Sequence, residues 1–203
     1  MRSAVLVTGA SRGFGRCLAL DFARELATSD LDLQTGELVV VVQMVDLSDS
    51  ADYPTKTDSL LAQLTSAARY DRVFLVHNAG ALGALGFAQE CPSPAVMARH
   101  FELNVTSAMW LNKRFLDVFG ASRSEMASAK VSQEVADGTT TLTMRESPLM
   151  APKLAKWFVE MKEHGTLVPT SKSSRRGVVV AVSGDFDSGR HVTFDELNYV
   201  DEP

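Results

Sequence analysis

Long apolar runs are missing from this chain. The longest, such as Leu38–Val42, extend over five residues, far short of the roughly 20 that a bilayer-spanning helix needs. A charge of one sign is missing too. The 20 Lys and Arg stand against 25 Asp and Glu, giving a formal charge of −5 with no basic arm, which argues against nucleic-acid and membrane partners. Cysteine is scarce: Cys17 and Cys91 form no CxxC and have no metal-ligand spacing, so neither a disulfide framework nor a metal site is expected. The N-terminus carries only Ala4–Val7 as an apolar stretch before Thr8-Gly9, too little for a secretory signal, and the expected location is the cytoplasm. What remains is ordinary. Hydrophobic residues at 45% and charged residues at 22% suit a folded globular chain, and 203 residues suit one domain of generous size.

Ala4-Val5-Leu6-Val7 has the pattern of a strand buried on both faces of a parallel sheet. It runs straight into Thr8-Gly9-Ala10-Ser11-Arg12-Gly13-Phe14-Gly15. Phe14, Cys17, Leu18, Phe22 and Leu26 then recur at spacings of three and four, which predicts a helix. A strand, a glycine-rich turn and a helix in that order offer a phosphate the free N–H groups and positive dipole end of the helix. Gly9 suits the sharp turn, Gly13 a close approach to a pyrophosphate, and Gly15 close packing of helix on sheet. Any tight strand-to-helix turn can use glycines, so the trio alone is not specific. A Walker A loop is excluded, because Arg16-Cys17 follow Gly15 in place of Lys-Ser/Thr.

The spacing TGxxxGxG, with Thr8 in front, resembles the cofactor loop of the short-chain dehydrogenase/reductase family. Thr8 to Arg16 is similar to the sepiapterin reductases within it. The resemblance implies NADP(H) as cofactor, with Arg12 neutralising the 2′-phosphate and Ser11, Gly9, Gly13, Phe14 and Gly15 around the dinucleotide. A guanidinium fork is well matched to a terminal phosphate.

Glu37–Val45 is a second buried-strand candidate, ending in Asp46-Leu47. The resemblance implies that Asp46 and Leu47 meet the adenine; a turn or helix N-cap is the other common use of such an Asp. Asp58–Arg69 is expected to be a helix with Leu60, Leu61, Leu64 and Ala68 inward, and Arg72–Val76 a third buried strand. His77-Asn78-Ala79-Gly80 follows, where the family carries an Asn-Asn-Ala-Gly tetrad beside the adenosine ribose. This implies cofactor roles for Asn78, Ala79 and Gly80 and a structural one for His77. Pro94–Phe119 is long and amphipathic. Asn104 within it resembles the family's helix-borne Asn of the catalytic relay, and its poor fit to a helix interior suggests a water or backbone role.

The family's chemistry uses a Ser, a Tyr and a Lys four residues after the Tyr, since a phenol near pKa 10 needs a nearby cation to serve as an acid near neutrality. That pattern is absent. Four residues after Tyr53, Tyr70 and Tyr199 stand Thr57, Phe74 and Pro203. A loose match lays Met126-Ala-Ser-Ala-Lys130 over the site, with Lys130 alone in the lysine position. A strand and a helix of the usual unit are also not found between the first helix and Glu37.

Ser147–His164 is expected to be a helix with Leu154, Trp157, Phe158 and Met161 on one core-facing side, and His164-Gly165 its stop. Val178–Val182 is β-branched, yet the resemblance favours a helix. Asp185–Phe194 is similar to the substrate-closing tail of sepiapterin reductases, and places Thr193 and Asp195 at the substrate. The expected fold is α/β, a Rossmann-like doubly wound parallel sheet with fewer strands than usual. It forms one domain over 1–203, with 1–119 the cofactor half and 147–195 the closing part. The resemblance implies an NADPH-dependent carbonyl reductase acting on a pterin side-chain ketone, in tetrahydrobiopterin biosynthesis. A shortened or catalytically silent NADP-binding relative is the alternative. Relatives dimerise through the helix bearing the Asn and the next one. With the second not found here, a homodimer is possible but not favoured.

Overall fold

The computed structural model describes residues 2–29, 41–81, 91–120, 129–132, 152–184, 186–187, 190–193 and 196. The chain divides into two compact units: Met1–Gly9 with Leu26–Met126, and Ala10–Glu25 with Ala127–Pro203.

In the first unit, β1 (Ser3–Val7) pairs in parallel with β2 (Arg72–Val76), in register from Ser3↔Arg72 to Val7↔Val76. Both strands fall where the Val-rich runs place them. The parallel register brings Thr8 and His77 out side by side at the carboxyl ends, where open α/β sheets bind ligands. Helix α2 (Tyr53–Ala67) buries Tyr53, Thr57 and Leu61, one residue per turn, and packs on α4 (Ser107–Phe119). Its start lies five residues before the expected Asp58, helped by Pro54 in the first turn. Leu60 and Leu64 are half-buried beside Leu61.

The long segment after Ser93 is one helical rod with a defect that the sequence pattern does not reveal. Helix α3 (Pro94–Phe101) passes into a π-turn (Glu102–Thr106) and then into α4. Met97, Phe101, Val105 and Met109 form an exposed apolar row along it.

Val41–Val45 departs from expectation. None of these residues is in a strand, and Val42 and Met44 are each 83% exposed. The physical reason is pairing: among the described residues no strand flanks this segment, and an unpaired apolar ribbon has no ladder to join. Glu37–Val40 lie outside the described residues.

The second unit contains most of α1 (Gly13–Ser29), α5 (Pro152–Glu163), α6 (Thr170–Ser183) and a small parallel pair, β3 (Ala129–Ser132) with β4 (Arg190–Thr193). Leu18 and Phe22 are buried on α1, and Cys17 is half-buried, as the three-four spacing requires. Helices α1 and α6 are tied by polar contacts. Asp21, 5% exposed, accepts from the Ser174 hydroxyl and pairs with Arg24 at 3.1 Å, while Arg175 reaches Glu25 at 2.6 Å. Val178 and Val182 face this core from α6, so burial decides for helix over the β-branched preference. Helix α5 ends in a Schellman motif: Gly165 takes φ +66°, its N–H reaches Lys162 O, and Thr166 N–H reaches Met161 O. Phe158 is buried, but Trp157 is 43% exposed, so the expected core stripe is narrower than the sequence suggests. The beginning of that expected helix, 147–151, lies outside the described residues, as does the side chain of Leu154.

Candidate functional site

Two backbone loops emerge from β1 and β2, and their polar groups need partners. Thr8 supplies most of them. Its N–H donates to Val76 O at 3.0 Å, and its hydroxyl oxygen accepts the N–H groups of Asn78 and Ala79, both at 2.9 Å. The Asn78 side-chain amide returns the contact, donating to Thr8 O at 3.0 Å and Gly9 O at 3.3 Å. The Asn78 side chain therefore positions the turn after β1. Gly9 is required twice over. Its φ is +67°, and a Cβ would stand 2.9 Å from both Ala79 Cα and Asn78 Nδ2.

The turn continues through exposed Ser11 and Arg12 to Gly13, whose φ of +55° again suits glycine, and to buried Gly15. Helix α1 opens there with no acidic side chain in its first turn. Its leading N–H groups and positive dipole end are available to an anion. Phe14 is half-buried at the helix start, and among the described residues the Arg12 guanidinium makes no ion pair.

Asn104 sits inside the π-turn and binds backbone. Its Oδ1 accepts Ala81 N–H at 3.0 Å, and its Nδ2 donates to Ala81 O and His100 O, each at 2.9 Å, with His100 Nδ1 at 3.1 Å. This clamp fixes the segment Asn78–Ala81 from its far end. Gly80 fits beneath it, where a Cβ would come within 3.1 Å of Asn104 Oδ1. His77 is satisfied by Asn112 on α4, Nε2 to Oδ1 at 2.9 Å, in keeping with the structural role expected of it.

Asp46 is a turn residue in this structure. Its Oδ1 accepts both the hydroxyl of Ser48 at 2.7 Å and its N–H at 2.9 Å, and Arg99 lies 3.5 Å from Oδ2. The Ser48 hydrogen bonds, aided by Arg99, hold its carboxyl below the usual carboxylate range. The carboxylate remains exposed and Leu47 beside it is half-buried.

The catalytic assignments fare differently. Lys130 lies in β3, paired with His191 on β4, and not on a helix. Four residues along a strand span roughly 13 Å, against about 6 Å for one helical turn, and Met126–Ser128, the rest of the match to the Tyr-x-x-x-Lys site, lie outside the described residues. Thr193 closes β4, and both its N–H and its hydroxyl donate to Glu196, at 2.7 and 3.0 Å. Asp195 and Tyr199 lie outside the described residues. Tyr53 is 3% exposed and donates to Glu102 at 2.5 Å; burial, and then Glu102, push its pKa up to about 12, the opposite of an activated acid. Sequence reasoning missed this pair and the π-turn, although Asn104 in a helix interior was a signal of the second.

No helix among the described residues is long and apolar enough to cross a membrane. No cluster among them groups enough His, Cys, Asp or Glu to hold a metal ion.

Comparison with known proteins agrees with this geometry. Sepiapterin reductase of Bos taurus is 23% identical over 254 aligned positions, covering 95% of this chain and 94% of the relative. The alignment is longer than this chain, so the relative carries internal stretches with no counterpart here. Benzil reductase ((S)-benzoin forming) of Bacillus subtilis (strain 168) is 27% identical over 122 residues, 57% of this chain, and the match spans about half (49%) of that relative. The crystal structure of the KRED1-Pglu enzyme superposes with a TM-score of 0.69 at 18% identity, over 95% of this chain and 100% of that one, and shares the fold. The profile of the short chain dehydrogenase family matches residues 3–127, more than half of the 203, and the chain belongs to that family.

Proposed function

We propose that this chain binds NADP(H) and reduces the ketone of a small substrate, with a pterin side-chain carbonyl as the first candidate. The observation that carries the reading is the turn from Gly9 to Gly15. At its α1 end Gly13 takes φ +55° and the helix starts without an acidic side chain, which fits a phosphate. Gly9, Gly13, Phe14 and Gly15 would bring backbone to the phosphates, with Ser11 beside them. The exposed Arg12 would fork onto a 2′-phosphate, which favours NADP(H) over NAD(H). Asp46 and Leu47 would meet the adenine, and Asn78, Ala79 and Gly80 the adenosine ribose. The chemistry such a cofactor supplies when bound is a hydride for the carbonyl carbon, while the oxygen takes up a proton. Similarity to the bovine sepiapterin reductase over nearly the whole chain supports the pterin class.

A second reading, dinucleotide binding without turnover, is favoured by one observation. No tyrosine of the chain has a lysine four residues on, and Tyr53 is locked as a donor to Glu102. Fluorescence titration with NADPH and NADH, followed by a turnover assay with sepiapterin, separates the readings. Binding with NADPH consumption supports reduction. Binding without consumption supports the second reading, and failure to bind either dinucleotide rejects both.

A further inference from the structure

We propose that Tyr53 and Glu102 form a latch that holds the π-turn in register, and through it the Asn104 clamp on Ala81. Both act as positioning residues for the loop after β2. Tyr53 opens α2 and is buried, and a buried phenol needs a hydrogen-bond partner. Its partner, Glu102, is the first residue of the π-turn.

The turn is held at its other end by backbone and serine. Ser107 N–H reaches back five residues to Glu102 O, which takes it away from Leu103 O. The Ser107 hydroxyl, 1% exposed, donates to Leu103 O at 2.8 Å and satisfies the carbonyl so released. Glu102 thus serves twice, its backbone carbonyl closing the wide turn and its carboxylate fixing the turn to α2.

The register matters because one extra residue rotates a helix by about 100°. Arg99 before the turn reaches Ser48 at 2.9 Å, Asn104 within it reaches Ala81, and Asn112 after it reaches His77. An uninterrupted α-helix would turn the first of these away from the last. The raised pKa of Tyr53 keeps its hydroxyl a donor at any working pH.

The consequence for cofactor affinity rests on the NADP(H) reading; the consequence for Ala81 does not. The test uses the full chain and the Ala81 amide resonance, with its hydrogen exchange, in Tyr53→Phe, Glu102→Ala and Glu102→Gln. Tyr53→Phe and Glu102→Ala should each raise Ala81 exchange about five- to tenfold, as loss of one hydrogen bond implies, and move its resonance toward that of Asn104→Ala. Glu102→Gln keeps an acceptor for the phenol and should stay at wild type. NADPH affinity should follow the same order. Melting curves identify a variant that merely unfolds, and Glu102→Ala, at a half-buried position, supplies the arm that spares the Tyr53 core. Wild-type exchange at Ala81 in Tyr53→Phe, or equal damage from Glu102→Gln and Glu102→Ala, overturns the latch. Wild-type chain that binds no NADPH, with the Ala81 series as described, overturns the functional reading and leaves the latch standing.

Discussion

The side chains of Thr8 and Asn78 satisfy each other's backbone. The threonine oxygen accepts the Asn78 N–H at 2.9 Å, and the asparagine amide donates to Thr8 O at 3.0 Å. With Ala79 N–H on the same oxygen, one hydroxyl serves two part-buried donors at the end of the parallel pair. Thr8→Val keeps the shape and removes the acceptor. It should destabilise the chain by about 2 kcal/mol, while Thr8→Ser costs much less. Urea unfolding of the three proteins checks this, and equal midpoints for Val and wild type would contradict it.

Gly9 leaves less room for compromise. Alanine there meets both a left-handed backbone and Ala79 Cα at 2.9 Å, a backbone atom that cannot swing aside. The expected loss is at least about 2 kcal/mol, since the left-handed region alone costs a residue with a Cβ about 1–2. Dinucleotide affinity should fall with it. Gly165→Ala is the matched control: it has a similar φ of +66° but nothing within 4 Å of the added carbon. The difference between the two variants in unfolding midpoint isolates the close approach from the backbone strain.

What the sequence made legible was local. β1 and β2 follow from runs of Val and Leu, α1 from apolar residues three and four apart, and the Gly165 stop from a residue that accepts positive φ. Asn104 announced itself by being a poor helix former between Leu103 and Val105. Contacts across long separations had no such signal. Tyr53 and Glu102 stand 49 residues apart, and neither type is unusual where it occurs. Val41–Val45 misled for the converse reason: its composition is that of a strand, but strand formation depends on a neighbour elsewhere in the chain. Asp46 forms a local turn with Ser48, and its carboxylate stays exposed, so the turn does not decide against an adenine contact.

The Tyr53 phenol also sets a pH dependence. Its pKa rises from 10.0 to about 12 in the folded chain, first through burial and then through Glu102. The folded state therefore holds the proton more tightly than the unfolded one. The stabilisation is fully present below pH 10 and is lost as pH rises from 10 toward 12. Because the hydroxyl end is only part-buried, its size should be on the order of 1–2 kcal/mol. Tyr53→Phe has nothing to titrate. The stability gap between wild type and this variant should narrow between pH of about 9 and about 11.5, measured by urea unfolding at each pH. A constant gap would place the hydroxyl in contact with solvent.

On the NADP(H) reading proposed above, Arg12 is the residue that would set which dinucleotide is preferred. Its guanidinium is exposed at the turn and makes no ion pair among the described residues, so its removal disturbs no internal contact seen there. A charge-assisted bond to a phosphate contributes about 1.5–3 kcal/mol, so Arg12→Ala should weaken NADPH about 10- to 100-fold. NADH lacks the 2′-phosphate and should bind wild type and variant alike. The binding should also be salt-dependent for NADPH, since the contact is an exposed charge pair screened within about 10 Å at 0.1 M salt. Arg12→Lys keeps the charge but not the fork and should fall between the two. Parallel titrations of both dinucleotides against the three proteins give the ratio directly. Equal losses for NADPH and NADH in Arg12→Ala would mean that the arginine shapes the turn and reads no phosphate.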